Sequence, residues 1–428
     1  MSAPIVAGPA PAFDDGRMQQ HHRHVARSAA ALAAAMGIGR FVYTPILPLM
    51  TAQAGITAHT AAALATANYA GYLAGAVAGI LWTPLARSVM VCKAALVTLV
   101  VSLAAMPLAT TPVEWIALRA IAGLTSALVF VIAVNVLLEH LHGRPAHLAG
   151  WAFGGVGGGI ALSAVLVLAC GQWRVAWWAS AALAAGLAAL AWTMRSAPRP
   201  APSVAATAAR PPHRAFTLLA TSYTLEGIGY IVAGTFLVAA VTQNAPHWVG
   251  GTTWLLVGLA TVPSAALWAG LSSRWSHPGL LAVALCAQAV GVGVAGAFGG
   301  VGAALIGAVL FGGTFIGVST LALASGRLLH YPRAVALLTA GYSVGQILGP
   351  VVVSPLLDDG FRPALVAAAV VVLAAAVVAG SMRVVGGQPH RFVAQSELAD
   401  VPGEFLDQRV HHGIVVVAPP HQRPGPQR

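Results

Sequence analysis

The chain has 428 residues, 58% of them hydrophobic and 8% charged, with a mean hydropathy of +0.80 and a formal net charge of +11. A soluble globular chain carries roughly a quarter charged residues, so this composition excludes one and describes a polytopic membrane protein. The 22 basic residues, all arginine except Lys93, raise nucleic acid as a partner, and their distribution along the chain removes it.

The first 27 residues are polar and Pro/Ala-rich and read as a disordered tail. Their His21-His22-Arg23-His24 cluster reads as solvated rather than as a metal site. No short apolar core of a secretory signal precedes the first long apolar run, which is retained as a span. A spanning helix needs about 20 mostly apolar residues, and twelve segments qualify: 28–50, 60–82, 92–110, 113–138, 147–170, 173–194, 215–242, 250–272, 278–298, 300–323, 334–357 and 361–383. They are called spans 1 to 12. Residues 195–214, rich in proline, alanine and arginine, form a linker that divides the chain into halves at 28–194 and 215–385. The tail 386–428 is polar and reads as disordered. Cys92, Cys170 and Cys286 are isolated and build neither a disulfide framework nor a metal site.

Basic residues in the connections set the orientation. With both termini cytoplasmic, eighteen basic residues fall on the inner side, among them Arg87, Lys93, Arg144, Arg274, Arg327 and Arg333, against Arg174 and Arg362 outside. That asymmetry accounts for the basic charge without nucleic acid. Only Arg40 and Arg119 lie within apolar segments. A charge at mid-bilayer costs about 2.5–3.5 kcal/mol on insertion scales and marks function.

Arg40 sits in span 1 within Met36-Gly37-Ile38-Gly39-Arg40-Phe41, followed by Pro45 and Pro48. The glycines and prolines predict a loosened helix. Span 7 carries a parallel run, Glu226-Gly227-Ile228-Gly229-Tyr230-Ile231, and Val156-Gly157-Gly158 in span 5 parallels Val344-Gly345-Gln346 in span 11. Both pairs are six spans apart, as in transporters built from repeats with a site between them. Glu226 is the only acid deep inside any span. Its depth matches that of Arg40, so the two are expected to pair across the halves. Glu226 is then the proton carrier and Arg40 its partner and an anion-binding group. Arg119 relays protons or binds substrate, or else donates to carbonyls of a loosened neighbouring helix.

Polar residues concentrate in spans 1, 2, 4, 7 and 11, whereas spans 3, 6, 9 and 12 are nearly pure Ala/Val/Leu apart from Gln288, and so are expected to face lipid. The candidate substrate-binding set is Arg40, Tyr43, Asn68, Tyr72, Asn135, Tyr223, Tyr230, Tyr342 and Gln346, with Tyr69 as a further wall residue. Gly71, Gly75 and Gly79, Gly155 and Gly159, and Gly345 and Gly349 recur every four residues and predict close helix crossings. The run Gly154-Gly155-Val156-Gly157-Gly158-Gly159 imitates a phosphate loop in composition only, because it lies in an apolar span without lysine.

These features resemble the major facilitator superfamily over about residues 28–385. More narrowly, the run from Gly37 to Met50, with Ala67 to Gly75 and Glu226 to Tyr230, looks like its YbfB/YjiJ branch. The resemblance implies twelve helices in two pseudo-symmetric halves. Spans 1, 4, 7 and 10 would line a central cavity, spans 2, 5, 8 and 11 would slide at the contact between halves, and the glycine stripes would belong to those sliding surfaces. The superfamily's Arg-x-x-x-Gly of span 4 is present as Arg119 to Gly123. Its acidic, glycine-rich signature between spans 2 and 3 survives only as the basic residues of Pro84 to Lys93, which puts the usual cytoplasmic latch in doubt.

The expectation is an all-α, alternating-access secondary transporter of a small organic anion or zwitterion, coupled to protons. It is a monomer in a bacterial inner membrane, with no cofactor, no metal and no enzyme activity. No HExxH occurs, every histidine lies in a tail, loop or span end, and Lys93 is at a helix end, so an intramembrane protease is not supported. A non-transporting sensor or scaffold is the alternative, and substrate-dependent proton movement distinguishes the two.

Overall fold

The computed structural model describes residues 15–141, 146–195, 213–243, 247–298, 300–329, 331 and 333–385, and every regular element among them is helical. Most of the expected linker and all of the expected C-terminal tail lie outside the described residues. Span 1 is composite: α1 (Asp15–Leu32), a π-helix (Ala33–Arg40) and α2 (Tyr43–Ala54). Then come α3 (Ala58–Leu81), the single turn α4 (Thr83–Ala86), α5 (Val89–Ala105), α6 (Pro112–His140), α7 (Ala146–Ala169) and α8 (Trp173–Ala191). The second half holds α9 (His213–Thr242), α10 (His247–Leu271), α11 (His277–Ala297), α12 (Val301–Leu328), α13 (Ala334–Val353) and α14 (Phe361–Val385). A 3₁₀ turn (Ser354–Asp359), with Pro355 in its first turn, links the last two.

Among the described residues eleven helical runs are long and apolar enough to cross a membrane. The twelfth apolar helix, α5, has 17 residues. It starts at a Ser88 cap, whose hydroxyl accepts from the Val91 N–H at 3.3 Å, and it stops short of Pro107. The tail expected to run disordered to Arg27 is helical from Asp15. No proline breaks that stretch, and Val25 packs against Leu137, Leu141 and Ala152. Beside it the His24 ring stacks on His140 at 3.8 Å.

Helix starts are set locally. Thr111 and Glu114 form a capping box at α6, with Glu114 Oε2 accepting from the N–H groups of Thr110 and Thr111 at 2.7 and 3.0 Å. That fixed start places Arg119 on the inner face of α6. The degraded connection between spans 2 and 3 is held within its own half, since Arg87 pairs with Glu139 at 3.7 Å and Asn135 Nδ2 donates to the Ala86 carbonyl at 3.1 Å.

Without a hydrophobic drive between helices in lipid, close packing of small residues brings them together. Each glycine stripe expected from sequence does mark a close crossing, but with a helix of its own half. Gly71 and Gly75 meet the Ala120 and Leu124 carbonyls of α6, and Gly79 meets Val131. Gly155 and Gly159 meet α1 and the π-helix at Ala29 and Ala33, while Gly345 and Gly349 meet Thr224 and Ile228 of α9. Their expected role as sliding surfaces between halves is therefore corrected. The halves meet where α7 packs on α10, with Gly150, Gly154 and Gly157 facing Ala266, Val262 and Gly258, and where α3 packs on α13, so spans 2, 5, 8 and 11 do form the contact between halves. A Cβ on Gly157 would lie 2.6 Å from the Gly258 carbonyl oxygen. Gln288, the polar exception among the spans expected to face lipid, is fully buried on the inner face of α11, while Val283 and Val290 of that helix are exposed. Span 1 and α9 are the most enclosed, with 100% and 83% of their apolar windows buried, so the site is sought between them.

Candidate functional site

The π-helix places Arg40. Gly37 and Gly39 are poor helix formers. Pro45 has no N–H to return to the preceding turn, and the Thr44 N–H turns to Phe41 O at 3.2 Å. The Arg40 carbonyl therefore has no donor four or five residues on. Arg119 supplies one: its Nη2 donates to Arg40 O at 3.0 Å and its Nη1 to Gly39 O at 3.1 Å. Ser126, also on α6, donates to Ala35 O at 2.7 Å. Arg119 is 1% exposed and lies 5.1 Å from the Tyr43 ring centroid. Of its two sequence readings, the geometry is that of the carbonyl donor.

With its backbone held from α6, the Arg40 side chain leaves the first half. Nη2 donates to Gln346 Oε1 of α13. The guanidinium carbon lies 4.2 Å from the Tyr72 ring centroid, 5.1 Å from Tyr69 and 5.4 Å from Phe41. Burying an ion costs several kcal/mol even after relaxation, and each desolvated cation–π contact returns up to about 2 kcal/mol. Three rings and one amide oxygen therefore hold the charge without a carboxylate. The Arg40 Nε nevertheless has no hydrogen-bond partner.

Glu226, on α9, is fully buried and does not pair with Arg40. The Gln288 Nε2 of α11 donates to its Oε1 at 3.2 Å, and Thr314 of α12 donates to Gln288 Oε1 at 3.4 Å. Glu226 Oε2 has no hydrogen-bond partner, and the Tyr342 hydroxyl approaches the carboxyl without meeting hydrogen-bond geometry. Between the two charges stands a column of rings. Tyr223 stacks on Tyr342 at 4.3 Å, Tyr342 on Tyr230 at 5.7 Å, and Tyr230 on Phe315 at 5.3 Å. Tyr230 and Tyr342 are each within electrostatic reach of both Arg40 and Glu226.

Arg40, Tyr72, Tyr69, Gln346, Tyr230, Tyr342, Tyr223 and Glu226 thus come together where the halves meet. Three other expected residues do not. Tyr43 donates its hydroxyl to Ala61 O at 3.0 Å, Asn68 donates to Arg119 O at 3.0 Å, and Asn135 lies at the basic end of the bundle. Gln288 and Thr314 were not among the candidates. The signal for Gln288 was in the sequence, as the lone amide of an apolar span. An apolar groove of about 500 Å³ between α5 and α8, lined by Leu96, Val100, Ala188 and Trp192, contains none of these groups.

A family model described as "Uncharacterised MFS-type transporter YbfB" matches residues 32–379. A comparison with curated proteins finds no match. Among solved structures, a point-mutant form of the nucleoside transporter NupG superimposes with a TM-score of 0.63 at 12% identity, covering 84% of this chain and 99% of that one. At that identity the likeness concerns the fold.

Proposed function

Since the chain belongs to the YbfB-type family of major facilitator transporters, we propose that it is a proton-coupled secondary transporter in which Arg40 and Glu226 bind solute and proton. The observation that carries this reading is the contact of Arg40, from the first half, with Gln346 of the second. A charge that closes the boundary between halves is the group a solute must disturb. Glu226 supports the proton role because it is the deep acid of the second half and keeps one oxygen without a partner. Arg119 holds the backbone that presents Arg40 and is a positioning residue. The solute is a small organic anion or zwitterion, bound as it replaces the neutral Gln346 on the guanidinium.

The inner-side arginines support an orientation with both termini in the cytoplasm. α7 and α10 join the halves along their length, from Gly150 and Ala266 near the cytoplasmic end outward, and three polar contacts between halves lie toward the end opposite the termini. Thr44 donates to the Gly234 carbonyl, Tyr69 and Thr235 share a 2.7 Å hydrogen bond, and His59 lies 3.9 Å from Asp358. From Gly229 to Val241, α9 is buried without interruption, whereas Thr217 and Thr221 are exposed. We therefore assign this conformation to a state closed at its outer end. A metabolite-wide thermal-shift screen on purified protein tests the reading. Solutes that stabilise the wild type are expected to lose their effect in Arg40→Ala, and an unchanged hit profile in that variant contradicts the assignment.

A further inference from the structure

We infer that the solute bound between Arg40 and Glu226 is a zwitterion with a flat apolar body, of the kind an aromatic amino acid represents. The inference rests on those two residues forming the transport site. Each charge is held by a neutral glutamine turned to suit it: Gln346 offers its oxygen to Arg40, and Gln288 offers its nitrogen to Glu226. Neither is paired with an opposite charge, and both remain incompletely bonded.

The two ends differ in kind. At the Arg40 end, Arg40 Nε, Gln346 Nε2 and Ser343 Oγ are buried and without a hydrogen-bond partner. Gln346 and Ser343 are three residues apart and share one face of α13. The guanidinium's own Nε–H with two further donor groups beside it suits an oxyanion such as a carboxylate. At the Glu226 end the unpartnered atom is Oε2, an acceptor, with the mutually stacked Tyr342 and Tyr223 in electrostatic range of the carboxyl. A carboxylate oxygen with a free lone pair suits an ammonium group. The stacked rings of Tyr230 and Tyr342, 18° apart and each within electrostatic reach of both Arg40 and Glu226, supply apolar surface between the two ends. A simple anion leaves Glu226 Oε2 with only the poorly aligned Tyr342 hydroxyl near it, and a simple cation leaves the donors at the Arg40 end without an acceptor. A molecule with both charges answers each end.

The test uses the full-length protein in nanodiscs with radiolabelled L-tryptophan as probe. The competitors are indole-3-propionate, which lacks the ammonium, tryptamine, which lacks the carboxylate, and L-alanine, which lacks the ring. The expected result is saturable L-tryptophan binding, with each of the three competing about tenfold or more weakly than unlabelled L-tryptophan. Arg40→Ala should lose labelled L-tryptophan binding while radiolabelled tryptamine, measured directly, still binds, and Glu226→Gln should retain binding of radiolabelled indole-3-propionate and lose that of tryptamine. Either variant can fail to fold, so the competition series on unaltered protein decides the matter. Equal competition by indole-3-propionate and L-tryptophan overturns the zwitterion and leaves anion transport standing. Absence of any aromatic zwitterion binding, as when only water bonds to these atoms, overturns it too. The proton-coupled reading fails separately, if solute moves in proteoliposomes without protons.

Discussion

At the scale of single residues, the two buried arginines do different work. Arg119 gives both terminal nitrogens to carbonyls that the π-helix leaves without helical donors. Arg119→Ala removes two charge-assisted bonds in a dry site and should cost about 3 kcal/mol or more of stability. Thermal unfolding of the purified variant measures this, and an unchanged melting temperature contradicts the role. Tyr43→Phe loses one hydrogen bond to Ala61 O and should cost about 1 kcal/mol while transport persists. Arg40 and Glu226 were legible from sequence because ionisable groups deep in apolar spans are rare. Their partners were not. Which side chain reaches Arg40 depends on the rotation of span 1, and the π-helix turns that register in a way residue spacing does not encode. The expected Arg40–Glu226 pair therefore gives way to two separate charge–glutamine contacts.

At the scale of elements, the spans could be read from length and apolarity, and their ends from caps and prolines. The partner of each glycine stripe could not. Spacing of four identifies a small-residue face, but the helix it meets is a tertiary fact. Gly75 and Gly157 illustrate this, since one abuts α6 in its own half and the other abuts α10 across the boundary. Gly157→Leu should destabilise by about 1–3 kcal/mol through overpacking and also slow solute transport, because α7 and α10 join the halves. Gly79→Ala, where the new methyl would lie 3.3 Å from Val131 within the first half, should leave transport near wild type. Initial rates of solute uptake in proteoliposomes, normalised to reconstituted protein, compare the two. Equal slowing by both contradicts the placement of the boundary at α7 and α10.

At the scale of the whole molecule, the polar cluster sits where two six-helix halves meet and is sealed toward the end opposite the termini. Closing that end permanently should arrest alternation. In a background with Cys92, Cys170 and Cys286 replaced by alanine, His59→Cys with Asp358→Cys should oxidise to a cross-link that stops transport until reductant is added. Transport that continues with the cross-link formed excludes this end as a gate. The central claim is that Glu226 carries the coupled proton while Arg40 binds solute. The most direct measurement is solute-evoked proton movement across proteoliposomes containing a pH-sensitive dye, comparing wild type with Glu226→Gln for a solute found in the thermal-shift screen. The account predicts a proton signal in wild type and its loss in Glu226→Gln, with solute binding still detectable in the variant. A Glu226→Gln protein with the wild-type rate and pH profile would contradict it.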